Sequence, residues 1–363
     1  MTNQEKKQLA IAACQIRMGI IESTHGAKAG HPGGSLSAAE MFAYLYNREL
    51  RIDPKQPKME SRDRFVLSKG HTAPGLYSAL AYRGFFPVSD LPTLRHADSY
   101  LQGHPNMNLV PGVDMSTGSL GQGVSCAAGM AKGAKYLNED VNVYTLLGDG
   151  EIEEGQVWEA FMFAAHFKLD NLCVIIDLNG LQIDGPTEKV MNSAPVDAKM
   201  EAFGFNVVTI DGHDFDQIES AFAAFRACTG RPTAILMHTT KGKGVSYMEN
   251  SVDWHGKAPN DQQLEQAVLP QHHTLMLPQQ CHSLLVEHPA HCVVDILKVV
   301  VKMLPSHAAG LHDLRDGNFI QRLLCHQSFQ CGADLPLGRL AGFVCSLSHP
   351  NDHRPFLEFL ILF

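Results

Sequence analysis

Two stretches of this chain carry residues whose types and spacing suit a hard cation and an anionic ligand. GDGEIEEG, residues 148 to 155, follows the apolar run Val143 to Leu147, and DLNGLQIDG, residues 177 to 185, closes the run Leu172 to Leu178. Both runs are short and rich in branched residues, as in buried parallel strands. Parallel strands end on one edge of a sheet, so Asp149 and Asn179, 30 residues apart, come to that edge together. A carboxylate oxygen, an amide oxygen and a backbone carbonyl there would give Mg2+ the partial oxygen shell it favours, completed by phosphate and water. Asp-Gly alone is an ordinary turn. The asparagine at the end of the following strand is what gives the pair chemical content.

Histidines recur in glycine-bearing loops. His31 lies in KAGHPGG, His71 in SKGH, His104 in GHP and His255 in DWHGK. Each alone reads most simply as an exposed loop residue. STGSLGQG, residues 116 to 123, leads into a helical stretch, and glycines there let a phosphate approach free backbone N–H groups. The spacing is not the dinucleotide GxGxxG, and the strand that motif needs is missing. Lys241 and Lys243 in TKGKG could meet a phosphate, although a solvated turn is the simpler reading of that loop.

The elements that must position these loops alternate. Apolar spacing predicts a helix over 4–25 ending at Gly26, and Pro32 with its glycines keeps 28–34 non-helical. Ser37 and Glu40 have the spacing of a capping box for the next helix. Strands are expected at 64–67, 143–147, 172–177, 206–210 and 233–237, the last four read as buried. Helices are expected near 75–82, 124–137, 156–167, 197–203 and 215–228. This order implies an α/β fold, a doubly wound, mostly parallel sheet with helices on both faces. Ligands of such sheets bind beyond the carboxyl ends of the strands, where the loops above fall.

At 363 residues and 45% hydrophobic composition the chain suits a soluble globular protein. A formal charge of -9 without a basic block argues against nucleic acid, and the absence of an 18-residue apolar run and of a leader argues against membrane and secretion. A cytoplasmic protein with free thiols is the expectation.

Taken in order, AGHPGG, SKGHTAPGLY, GHPN, STGSLGQG, GDGEIEEG, DLNGLQIDG, TKGKG and DWHGK resemble the N-terminal, diphosphate-binding half of transketolase over residues 1 to about 267. The resemblance implies thiamine diphosphate and Mg2+ (or Ca2+ or Mn2+) as cofactors, the metal held by Asp149, Asn179 and the carbonyl of Leu181. It implies His31, His71, His104 and His255 as active-site histidines, with His71 and His255 also near the cofactor. Gly118, Leu120, Gly121, Gly150 and Lys241 would contact the cofactor, Lys257 would be similar to Lys241 in lying near it, and Glu154 would link paired active sites. The implied reaction moves a two-carbon ketol unit from a ketose phosphate to an aldose phosphate. Deoxyxylulose-phosphate synthase, an E1 dehydrogenase subunit or a non-catalytic cofactor-binding protein are the alternatives; the histidine set and GHPN favour transketolase.

The glutamate that activates the cofactor in that family belongs to a second, pyrimidine-binding domain, and no second βαβ array follows here. The resemblance therefore implies a split enzyme, inactive without a separate C-terminal subunit, with a heterotetramer as the assembly. Residues 268–363 carry 10 of the 19 His and 5 of the 9 Cys. They read as an extension foreign to the fold, out of frame or erroneous, and poorly packed. Cys281, His282, His288, His291 and Cys292 fit no usual zinc spacing.

Overall fold

The computed structural model describes residues 1–268, residue 271 and the backbone of strands 343–349 and 352–361. The chain divides into two units, Met1–Gln280 and Cys281–Phe363.

The first unit opens with α1 (Asn3–Ala27), whose start is fixed by a capping box between Thr2 and Glu5. Short helices α2 (Pro32–Leu36) and α3 (Ala39–Tyr44) follow, then β1 (Arg64–Leu67), α4 (Ala73–Arg83), α5 (Gln122–Leu137), β2 (Val143–Gly148), α6 (Gly155–His166) and β3 (Leu172–Leu178). A small antiparallel ribbon, β4 (Leu181–Gln182) and β5 (Gly185–Pro186), leads through α7 (Thr187–Val190) to α8 (Val196–Ala202), β6 (Asn206–Asp211), α9 (Phe215–Ala227) and β7 (Thr233–His238). A further helix spans 261–268. Five parallel strands form the central sheet in the order β1-β2-β3-β7-β6.

Helices cover both faces, as alternation along the strands requires. Leu146 and Ile175 pack with Ile16, Met41, Phe42, Leu76 and Phe222 on the side of α1, α3, α4 and α9. Their neighbours Leu147 and Ile176 pack with Val124, Ala127, Val157, Phe161 and Met200 on the side of α5, α6 and α8. Each such side chain contributes about 1.5–3 kcal/mol on burial, so the middle strands are the most firmly held part of the sheet. The register pairs Gly148 with Asp177. The two motif loops thus leave the sheet side by side.

Four local expectations are corrected. Helix α1 runs through Gly26 to Ala27; a side chain at 26 would meet the Pro92 carbonyl, so this glycine admits a neighbour and does not stop the helix. Pro32 begins α2 at its first turn, where a missing N–H costs nothing, so part of the 28–34 segment is helical. Ser37 and Glu40 form no capping box, since the Ser37 hydroxyl is bonded to the Gly34 carbonyl and to Asp177, and Glu40 to Arg17 and His213. The 206–210 strand lies at the sheet edge and is buried mainly at Ile210.

In the second unit β8 (Phe343–His349) and β9 (Asp352–Ile361) form an antiparallel hairpin. The Cys281 to Cys292 cluster and most of the expected foreign extension lie outside the described residues. Among the described residues, no helix is long and apolar enough to cross a membrane.

Candidate active site

Beyond the carboxyl ends of β2 and β3, the Asp149 carboxylate is bonded to the backbone of Gly180, the residue after Asn179. Gly150 N–H donates to Asp149 Oδ1 at 2.9 Å and Gly180 N–H to Oδ2 at 2.6 Å. Burial, with the neighbouring Asp177 charge, nonetheless pushes the Asp149 carboxyl up to about 6. Gly180 turns the chain with φ +76°, bringing Leu181 N–H to Asn179 Oδ1 at 3.1 Å. The Leu181 carbonyl accepts from Lys241 Nζ at 3.0 Å, and the same ammonium lies 3.1 Å from His255 Nδ1. Lys241 is 2% exposed, and burial brings its ammonium down to about 8.

These contacts test whether the site suits a metal. Asp149, Asn179 and the Leu181 carbonyl offer only hard oxygen atoms, and the carbonyl already draws a positive charge in Lys241. Among the described residues no group of three or more His, Cys, Asp or Glu side chains is placed to hold a metal. The oxygen set fits Mg2+ and does not favour a softer ion.

Three of the four expected histidines stand together. The His31 and His71 rings are 5.1 Å apart edge to face, His31 and His255 5.4 Å, and His71 stacks on His255 at 5.4 Å. They come from the loop before α2, the loop after β1 and the segment after β7. Burial, with nearby cations and the other rings, lowers His31 and His255 to about 4 and His71 well below its usual value. All three are neutral at pH 7 and can each offer one donor and one acceptor. His31 Nδ1 is buried without a hydrogen-bond partner.

The other expected residues surround this group. His104 is exposed and outside the ring trio, packed against Gly118, where a side chain would come within 3.1 Å of its ring. Gly121, with φ +81°, donates its N–H to Glu151 Oε1 at 3.0 Å. Leu120 is 40% exposed, and Glu154 is exposed at the start of α6, its Cβ against Gly121. Gly150 backs onto Gln182. Lys257 lies 5.3 Å from the Trp254 ring, not in the histidine cluster.

Sequence reasoning missed the groups beneath the site. Asp177, at 0% exposed, is paired with Lys69, and Glu151 accepts from Ser68 Oγ at 2.5 Å and from the N–H groups of Gly121 and Gly148. Burial pushes the Asp177 carboxyl up, but Lys69, Ser37 and Thr239 outweigh it and hold the group below the usual range. The available signal was a carboxylate near the end of an apolar run.

Residues 7–284 match the family described as transketolase, thiamine diphosphate binding domain. The chain belongs to the transketolase family. The match runs past the point near 267 where the motif resemblance ends. A 6-deoxy-6-sulfo-D-fructose transketolase subunit of Clostridium sp. (strain MSTE9) is 42% identical over 266 residues, covering 73% of this chain and 97% of that protein. An apulose-4-phosphate transketolase subunit of Phocaeicola vulgatus is 43% identical over 252 residues, covering 69% of this chain and 89% of that one. The crystal structure of transketolase from Campylobacter jejuni has a TM-score of 0.69 at 32% identity, covering 75% of this chain and 43% of its own. This transketolase-family chain therefore spans nearly all of the subunit relatives and less than half of the Campylobacter chain.

Proposed function

We propose that this chain is the diphosphate-binding subunit of a two-subunit transketolase, moving a two-carbon ketol unit between anionic sugars with Mg2+ and thiamine diphosphate. The observation that carries this is the neutral histidine trio joined through Lys241 to the Asp149, Asn179 and Leu181 oxygen set. Coverage of the subunit relatives supports the two-subunit reading, as does the 49% of human transketolase that this chain matches. The partner would carry the pyrimidine-binding domain, and the assembly would be a heterotetramer. Relatives named for a sulfonated and a phosphorylated sugar support an anionic sugar as substrate.

Thiamine diphosphate, when bound, supplies a carbon nucleophile and an electron sink for breaking and forming the carbon–carbon bond. The chain's residues do the rest. Asp149, Asn179 and the Leu181 carbonyl would hold the cation that neutralises the diphosphate, and Gly118, Leu120 and Gly121 would line the cofactor. His31, His71 and His255, neutral in their buried loops, can accept a proton from a sugar hydroxyl and return it to an oxygen as charge develops. Lys241 stabilises negative charge beside His255, and His104 would meet the substrate at the cleft mouth. Glu154 would face its counterpart across the assembly.

Calorimetric titration of thiamine diphosphate into the chain with its partner subunit tests the assignment. Binding is expected to require Mg2+ and to be lost in Asp149→Ala. Unchanged affinity in that variant would remove Asp149 from the cation site.

A further inference from the structure

The Asp177 carboxylate, buried near the end of β3, gathers donors from four segments of the chain. Lys69 Nζ and Ser37 Oγ each lie 2.5 Å away, the Thr239 hydroxyl also donates, and Asn179 Nδ2 lies at 3.3 Å. Lys69 Nζ in addition donates to the Gly34 carbonyl at 3.0 Å. A buried ion pair adds little stability over well-packed apolar residues, because desolvation offsets the attraction. The pair calls for another role.

That role is visible at Asn179. Its amide has two unlike ends, and both are constrained. A carboxylate can only accept, so the NH2 end must face Asp177; Leu181 N–H can only donate, so the oxygen must face the other way. One lone pair of Oδ1 remains for a cation. The same carboxylate, through Ser37 and through Lys69 with Gly34, ties down the loops that carry His31 and His71.

We propose that Asp177 is a positioning residue that acts through Asn179: it turns the amide oxygen toward the cation and registers the two histidine loops against it. This rests on the cation reading given above. Removal of an outer partner of a metal ligand typically weakens metal binding about 10–100-fold.

The test uses Mn2+ as a paramagnetic probe for the cation, with thiamine diphosphate and the partner subunit present, and records both Mn2+ affinity and thermal stability. Wild type should bind Mn2+ in a cofactor-dependent way, and Asn179→Ala should lose it. The double variant Asp177→Leu with Lys69→Met removes both charges and keeps the volume. It should stay folded yet bind Mn2+ at least about 10-fold more weakly. An unchanged affinity in the folded double variant, with Asn179→Ala defective, would overturn the positioning role alone. Absence of cofactor-dependent Mn2+ binding in wild type, or its retention in Asn179→Ala, would overturn the cation reading and this inference with it. Should the double variant not fold, Asp177→Asn serves, with the same loss expected and the same unchanged affinity contradicting it.

Discussion

Neutral histidines packed ring against ring set the acid–base character of this site, and they set its response to pH. His31 and His255 protonate near pH 4 in the folded chain, against an ordinary 6.5. Between those values the unfolded chain takes up protons that the folded chain refuses. The stability these rings contribute is therefore complete above about pH 6.5 and is lost as pH falls toward 4. Thermal melts should show a lower Tm at pH 5 than at pH 7, and the difference should shrink in the double variant His31→Phe with His255→Phe. A difference of the same size in that variant would contradict the burial argument. Asp149 has the opposite sign: its carboxyl is raised to about 6, so its contribution is complete below the ordinary value of 3.8 and is lost as pH rises through 6. At this scale the Asp149 and Asn179 pair is legible because each follows a recognisable apolar run, whereas the histidines read alone as loop residues and take on meaning only through the motif resemblance. Asp177, Lys69 and Ser37 are not legible, since a carboxylate's partners from three distant segments have no sequence spacing to betray them. Ser37 resembles a helix cap in sequence for that reason.

Glycines decide where the elements meet, and each does so differently. Gly121 ends the STGSLG turn in left-handed backbone, at φ +81°, with Glu154 close by. Replacing it with alanine imposes about 1–2 kcal/mol of backbone strain and a Cβ contact of 3.0 Å. Gly129, inside α5, has nothing within 4 Å of an added Cβ, so alanine there should gain about 0.5–1 kcal/mol by restoring helix propensity. Urea unfolding of Gly121→Ala and Gly129→Ala should move the midpoints in opposite directions. A Gly121→Ala chain as stable as wild type would show that the turn tolerates a side chain. The strands and long helices are legible to within a few residues, because apolar period and length rarely mislead in a sheet buried on both faces. Gly26 and Pro32 mislead because a glycine can mark a close approach as well as a turn, and a proline can start a helix as well as end one.

Across the first unit, the five parallel strands end on one edge of the sheet, where the loops that follow them gather. The family match and the solved structures agree on the diphosphate-binding half of transketolase. The sheet order cannot be read from the sequence, because strands separated by helices carry no record of their neighbours. In the reading proposed above, this half needs another chain to transfer a ketol unit. The decisive assay mixes it with a C-terminal transketolase subunit, thiamine diphosphate, Mg2+, xylulose 5-phosphate and ribose 5-phosphate, and follows sedoheptulose 7-phosphate. Product should form only when both chains are present; turnover by this chain alone, or cofactor binding by the pair with no transfer from any ketose phosphate to any aldose phosphate offered, would contradict it.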